Sequence, residues 1–445
     1  MTKLAWGLRC LVLATAAVLL SLQLAASQAV QPPSAKDPAS ALRSWYGLAI
    51  ELVRHTATYS PPVASRALAY LGVTAWEATA SGNPKLKSLA GQLTELPPMP
   101  VRESGAVYDE TLVLNAALES AVRSHFWNTG PTGQHATTAM SRRLAQDATA
   151  GKPADVVERS NAYGKALAEH ILEWSKSDGG ALIDNMGFPK EYSLNPAPGR
   201  WVPTSPIRMQ QAPLLPAWGS NRPFALKDGK DCPVSPHPAF SEEKGSGFYN
   251  EAEEVYLAVR DTTPERTAIA RFWSDDPMLT PTPPGHWISI VLQIMDRDEL
   301  PVEKSATAMP VFTRASADGF IGCWRDKYIY DLIRPVTYIK KNIDPKWEPI
   351  LITPPFPEFP SGHSTESGAA AEALTAIFGD SFAFDDATHA RDGIKPRHFA
   401  SFWAAAEEAG MSRLYGGIHF RAAIELGLDQ GRCIGKRAGA LEMYQ

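Results

Sequence analysis

Three short stretches in the last third of the chain hold residue types that could bind an anion and move a proton. KYIYDLIRP places Lys327 and Arg334 seven positions apart, two helical turns, so both cations project from one helix face until Pro335 ends the helix. Such a pair among apolar neighbours calls for an anion, although alone it also fits a solvated basic edge. FPSGHS supplies the Ser361 hydroxyl, the unobstructed backbone N–H of Gly362 and the imidazole of His363 at the mouth of a helix. The free N–H groups and positive dipole end of that helix face the same spot. Alone, this stretch also fits an ordinary serine N-cap. SRLYGGIHF ends a helix at Arg413, breaks it at Gly416-Gly417 and begins again at His419. The Gly-Gly turn is what lets Arg413 and His419 converge, though a C-cap with a buried histidine would read the same.

Together the three stretches assemble one lysine, two arginines, a hydroxyl, a glycine N–H and two histidines. A protein core does not tolerate so many donors without a ligand, so they read as an oxyanion pocket. The oxyanion should be tetrahedral or trigonal-bipyramidal, and phosphate-like. Arginine supplies planar forks for it and lysine a point charge.

The order Lys-x6-Arg-Pro (Lys327 to Pro335), Pro-Ser-Gly-His (Pro360 to His363) and Ser-Arg-x5-His (Ser412 to His419) resembles a shared signature. It is that of vanadium-dependent haloperoxidases and type 2 phosphatidic acid phosphatases. The flanking text, FWSDDP, TPPGHW and CWRDKYIYDLIRPVTYI, is similar to the bacterial haloperoxidases, most strongly from about Phe272 onward. The resemblance implies an all-α fold of two packed four-helix bundles and a vanadate cofactor, with vanadium held at +5. It implies that His419 is the vanadium ligand and that Lys327, Arg334, Arg413, Ser361 and the Gly362 N–H hold the vanadate oxygens. His363 would be the acid–base residue, and Phe356 and Trp324 would line the halide side. The implied partners are hydrogen peroxide, a halide ion and an organic halogen acceptor. Iodide and bromide, easier to oxidise than chloride, are the expected halides.

One position departs from the wider superfamily, where an aspartate often stands four residues after the last histidine. Here that position is Ala423, and Glu425 is out of register, so the partner that orients His419 is not evident. For His363 the expected acidic partner lies in FWSDDP, with Asp276 preferred over Asp275. Asp331, four residues after Lys327, is expected to pair with it. His286 in PPGHW reads as structural or loop-lining, and His55, His125, His135 and His170 show no ligand spacing. An acid phosphatase with His419 as nucleophile and His363 protonating the leaving group is the second reading, since phosphate and vanadate share charge and shape. A non-catalytic exported oxyanion-binding protein is the third.

These residues need a scaffold, and the scaffold reads as helical. Apolar spacing of about 3.6 recurs over residues 38–58, 60–80, 105–127, 132–149, 152–177, 249–274, 285–299, 303–334, 364–378 and 397–415. Strand-like alternation is scarce and no repeat of fixed period is present. The expected organisation is an N-terminal helical region (30–190), an irregular insert (191–248) and a C-terminal helical region with the site (249–445). The insert is rich in Pro and Trp, and its aromatics argue for a packed covering rather than a linker.

The first 29 residues have the positive n-region (Lys3, Arg9), apolar h-region and small-residue end of a cleavable export signal. The expected location is therefore periplasmic or extracellular, with no stable membrane insertion after cleavage. The chain has 445 residues and a formal net charge of −5, with no Lys/Arg-rich block, which argues against a nucleic-acid partner. Of the cysteines beyond the signal, Cys323 and Cys433 are expected as buried thiols, with at most one disulfide possible alongside Cys232. Oligomerisation is open, since no heptad seam announces it.

Overall fold

A computed structural model describes residues 32–183, 191–205 and 212–445; the expected export signal lies outside the described residues. The N-terminal part contains α1 (Pro38–Arg54), α2 (Pro61–Ala80), α3 (Glu110–His125), α4 (Gly130–Thr149) and α5 (Ala154–Ser175). The C-terminal part contains α6 (Gly247–Arg260), α7 (Pro264–Phe272), α8 (Thr282–Asp298), α9 (Val302–Tyr330), α10 (Pro335–Asn342), α11 (Gly362–Phe378), α12 (Phe402–Tyr415) and α13 (Arg421–Gly439). A small antiparallel pair joins β1 (Phe384–Asp386) to β2 (Arg397–Phe399), with Phe384 opposite Phe399. The fold is all-α, a multi-helix bundle, as the sequence led us to expect.

Local sequence sets the helix starts. Asp37, Asp109, Ser246, Thr263, Ser361 and Ser401 each accept a first-turn backbone N–H at an N-cap. Pro264 begins α7, which splits the single helix expected over 249–274.

Two helices form the centre. In α2 every residue from Pro62 to Ala78 is buried, and α9 is buried from Ser305 to Trp324. Helices apolar all round belong in a core, and these two pack on each other. Around them, α2, α3 and α5 make one bundle with α1, while α9, α11, α12 and α13 make the other. The tightest contact is α11 on α13. Gly431 permits it: a Cβ there would stand 2.2 Å from the Thr365 carbonyl oxygen.

The insert packs against the second bundle. Trp201, Leu214, Leu215 and Trp218 are buried, and the Leu214 carbonyl accepts from the Trp324 indole (3.2 Å) and the Tyr328 hydroxyl (2.6 Å). Asp318 on α9 accepts the backbone N–H groups of Phe224, Ala225 and Leu226. A disulfide between Cys232 and Cys433 ties the insert to α13, with a Cα–Cα distance of 5.8 Å. This corrects the expectation that Cys433 is a free thiol; Cys323 is free and buried. The two paired cysteines are 201 residues apart, a separation that only the folded chain closes.

A second correction concerns Lys327 and Arg334. The helix ends at Tyr330, where Asp331 turns left-handed (φ 48°), and Pro335 opens α10 with Arg334 as its N-cap. The two cations therefore do not share a helix face. They meet because the chain folds back between them.

Candidate active site

One loop organises the site. Residues 354–360, four prolines among Phe356, Glu358 and Phe359, run directly into α11. Proline fixes φ and removes backbone donors, so this run presents carbonyls in a rigid array. The Lys327 ammonium donates to the carbonyls of Pro357 and Glu358, each at 3.0 Å, and to that of Pro360. Asp331 does not pair with it; the Asp331 N–H caps α9 by donating to the Lys327 carbonyl at 2.8 Å. Arg334 donates from Nε to the Phe356 carbonyl at 2.9 Å. The Phe356 ring lies 5.1 Å from Lys327 Nζ and 5.0 Å from the Arg334 guanidinium, a cation–π arrangement on both. Trp324 stands 4.9 Å from the same ring.

His419 is held from both sides. Its Nδ1 is 2.8 Å from Glu358 Oε1, and its Nε2 is 3.2 Å from Arg334 Nη1. A guanidinium can only donate, so Nε2 faces it with a lone pair. Nδ1 then carries the proton and donates it to Glu358 Oε1, on a carboxyl that burial pushes up to about 8 against the pull of Arg334 and Lys327. Burial, followed by Arg334, Lys327 and Arg413, holds the His419 pKa well below the usual imidazole range. The ring is neutral, in the tautomer a metal-binding nitrogen requires. Glu358 also accepts the Phe420 N–H at 2.9 Å, and it fills the role that Ala423 leaves vacant. No spacing rule points to Glu358, which lies 61 residues from His419. A lone acid inside an apolar Pro/Phe run was the available signal.

Gly417 makes the turn between Arg413 and His419, with φ +79° that a side-chain-bearing residue rarely adopts. Arg413 closes the other wall. Its Nη1 lies 3.2 Å from His363 Nε2, and Nε donates to the Ser412 hydroxyl at 3.0 Å. His363 sits on the first turn of α11, its side chain 18% exposed. Burial first and Arg413 second hold its pKa well below the ordinary value. Ser361 serves as N-cap, accepting the Ser364 N–H at 3.3 Å, and its own hydroxyl proton is free to donate. Gly362 packs against Trp324: a Cβ there would lie 3.4 Å from the indole.

The acid nearest His363 is Asp275, not Asp276. Asp275 Oδ2 is 3.9 Å from His363 Nε2. Asp275 takes a left-handed φ of 49°, and both it and Asp276 lie in the field of Arg413. His286 and His389, which the sequence reading left as structural or passed over, contact Asp275 from behind.

The residues fit an oxyanion such as vanadate. Lys327, Arg334 and Arg413 are at most 2% exposed. Burial lowers all three pKa values, Lys327 to about 7 and each arginine to about 10, so the positive charge is under-compensated inside the protein. Arg334 Nη2 is buried and has no partner among the described residues. An unsatisfied buried guanidinium donor is costly unless a ligand accepts from it. The His419 lone pair stands 3.2 Å from Nη1 of the same guanidinium, and α11 adds the Ser361 hydroxyl at its N-cap and first-turn N–H groups such as that of Gly362, which have no intrahelical partner. Each is a donor or a metal-binding nitrogen, as the donor set of such a group requires. A surface cleft of about 460 Å³, lined by residues such as Lys230 and Arg325, shares none of these residues.

Comparison with known proteins agrees with this chemistry. Residues 308–444 match a family profile described as the VCPO second helical-bundle domain. The structure is similar to that of a bacterial vanadium-dependent iodoperoxidase, with 37% identity and a TM-score of 0.84, covering 91% of this chain and 97% of that one. The chain belongs to the vanadium-dependent haloperoxidase family. Vanadium chloroperoxidase of Curvularia inaequalis is 23% identical over 328 residues, 54% of each protein, so the match spans about half the length of that relative. A bacterial vanadium-dependent chloroperoxidase in its holo form shares the fold, with a TM-score of 0.67 at 18% identity, covering 87% of this chain and 93% of that one.

Proposed function

We propose that this member of the vanadium-dependent haloperoxidase family is an exported enzyme that oxidises halide with hydrogen peroxide. The observation that carries the reading is the locked tautomer of His419, its Nε2 lone pair set among three buried cations. Iodide and bromide are the proposed substrates ahead of chloride. Similarity to a protein described as an iodoperoxidase supports iodide. Export is supported by the signal-like first 29 residues and by the Cys232–Cys433 disulfide, a bond that persists in oxidising compartments.

When bound, vanadate supplies a Lewis-acidic vanadium(V) centre at which hydrogen peroxide becomes able to oxidise halide. The chain's residues do the rest. His419 Nε2 would bind the vanadium, and Glu358 would keep Nδ1 protonated so that Nε2 stays free. Arg334 Nη2, Arg413, the Ser361 hydroxyl and the Gly362 N–H would hold the oxygens. Lys327, its three protons on loop carbonyls, contributes charge at close range and fixes the loop. His363 is neutral at pH 7, so its nitrogen can take a proton from incoming peroxide and return it to the product. Trp324 and Phe356 form the apolar side where a weakly hydrated halide would sit.

The same Nε2 lone pair could attack phosphorus, which makes phosphoester hydrolysis the second reading. The test is reconstitution: protein stripped of oxyanion, with and without orthovanadate, given hydrogen peroxide and iodide, bromide or chloride. Vanadate-dependent oxidation of iodide and bromide is expected. Hydrolysis of p-nitrophenyl phosphate with no oxidation of any halide would contradict the proposal.

A further inference from the structure

Behind His363 lies a cluster of ionisable side chains that the oxyanion pocket does not use. Asp275 follows α7, His286 sits near the start of α8, Asp386 ends β1, and His389 precedes a single 3₁₀ turn at Ala390–Asp392. None of these side chains is more than 2% exposed. His286 Nδ1 is 2.9 and 3.0 Å from the two Asp275 oxygens, and its Nε2 is 2.8 Å from Asp386 Oδ2. His389 turns Nε2 toward Asp275 Oδ1 at 3.4 Å, yet among the described residues that buried nitrogen has no well-formed hydrogen bond. Its Nδ1 is 3.5 Å from Asp392 Oδ2.

His286 thus presents one nitrogen to Asp386 and the other to Asp275, whereas His389 turns only Nε2 to Asp275, and the Asp392 carboxylate near its Nδ1 is held by Arg54 at 3.1 Å. Histidines that bind metals are arranged as His286 is, the far nitrogen fixed by a carboxylate and the near one aimed at the ion. Asp386 is itself fixed, since its Oδ1 accepts the Thr388 N–H at 3.0 Å. The 3.4 Å separation of His389 Nε2 and Asp275 Oδ1 is long and poorly aimed for a hydrogen bond. It matches the roughly 3.3 Å between two atoms each bound at about 2.0–2.1 Å to one tetrahedral ion. All three inward atoms lie within 4.8 Å of one another. With both imidazoles neutral, Asp275 and Asp386 leave two buried negative charges, which one divalent cation would cancel. Arg413 also faces Asp275, from α12, but its Nη1 is directed to His363.

We propose that Asp275, His286 and His389 bind a divalent cation of the zinc class, with Asp386 orienting His286. Two imidazoles and a carboxylate suit a borderline-soft metal. The site adjoins the oxyanion pocket through Asp275, 3.9 Å from His363, but the proposal does not depend on the haloperoxidase reading. Its ion would pin the α7–α8 connection to the turn after β1 and fix Asp275 beside His363.

The rival arrangement replaces the ion with a proton. Burial alone would lower the pKa of His286, but Asp275 and Asp386 raise it to about 10, so an imidazolium could bridge the two carboxylates. Metal analysis separates the two. The full chain, purified without chelator in buffer free of vanadate and phosphate, is assayed for bound metals. After dialysis it is loaded with Co2+ and its visible spectrum recorded. The expected result is stoichiometric metal and Co2+ d–d bands in the wild type and in His419→Ala, both lost in His389→Ala. Folded wild type that retains no metal and shows no Co2+ bands would overturn the site in favour of the bridging proton. Retention undiminished in His389→Ala would overturn it as well, by placing the metal elsewhere. The wild-type arm decides even if the variant fails to fold.

Discussion

The chemistry of His419 is set by two contacts, one acceptor and one donor. Glu358 takes the proton on Nδ1 at 2.8 Å, and Arg334 faces the lone pair on Nε2 at 3.2 Å. Replacing Glu358 by glutamine keeps the shape and removes the ionisable carboxyl. Lost outer carboxylates cost roughly 10- to 100-fold in metal-site affinity, so Glu358→Gln should weaken vanadate binding by about that factor. Equilibrium dialysis checks the affinity, and 15N NMR of the His419 ring reports the tautomer. The donor residues of the pocket were legible because they sit in three contiguous motifs. Glu358 and Asp275 were not, because their roles depend on contacts that close only in the fold. Asp276 was the wrong choice between neighbours because a left-handed Asp275 is invisible to pattern reading.

At the scale of elements, the oxyanion site depends on how closely α11 approaches α13. A methyl group at Gly431 would meet backbone atoms, the Thr365 carbonyl oxygen at 2.2 Å and the Ala369 nitrogen at 2.7 Å, neither of which can swing aside. Gly431→Ala should therefore destabilise the fold by about 1–3 kcal/mol and weaken vanadate binding by shifting the first turn of α11. Urea unfolding measures the first effect. The first bundle offers a separate test. His125 in the last turn of α3 stacks on Tyr70 at 5.1 Å, and burial, then Arg66, lowers its pKa to about 3. The unfolded chain holds this proton more tightly, near pH 6.5. The folded state therefore keeps the full contribution above that pH and loses it progressively toward pH 3. Between pH 7 and 5 the loss from this group is about 2 kcal/mol. His125→Phe should flatten the stability profile across that range in denaturant titrations. Most helices and their order were readable from periodicity, but α10 and α13 were not among the expected segments, and α6 and α7 were read as one. Helix ends were less so: the αL break at Asp331 lies inside the span where the pattern suggested one continuous helix up to Arg334.

At the scale of the molecule, two helical bundles share the α2–α9 contact, and the insert is fastened over α9 and α13. The Cys232–Cys433 bond closes a span of 201 residues. Loop-closure entropy for such a span gives at most about 5 kcal/mol, so reduction should lower the thermal midpoint, as scanning calorimetry with and without reductant would show. The all-α class was legible because amphipathic periods survive in a single sequence. The disulfide was not, because spacing says nothing about which distant strands of chain meet. The residues proposed to carry activity converge on a pocket where Arg334 Nη2 is buried with no partner among the described residues and the His419 Nε2 lone pair faces the same guanidinium. The most direct measurement is the equilibrium affinity for orthovanadate of the wild type and of His419→Ala, followed by 51V NMR. The expected result is tight binding by the wild type, with a bound resonance distinct from free vanadate, and loss of both in the folded variant. Equal affinity in the two proteins would contradict the account.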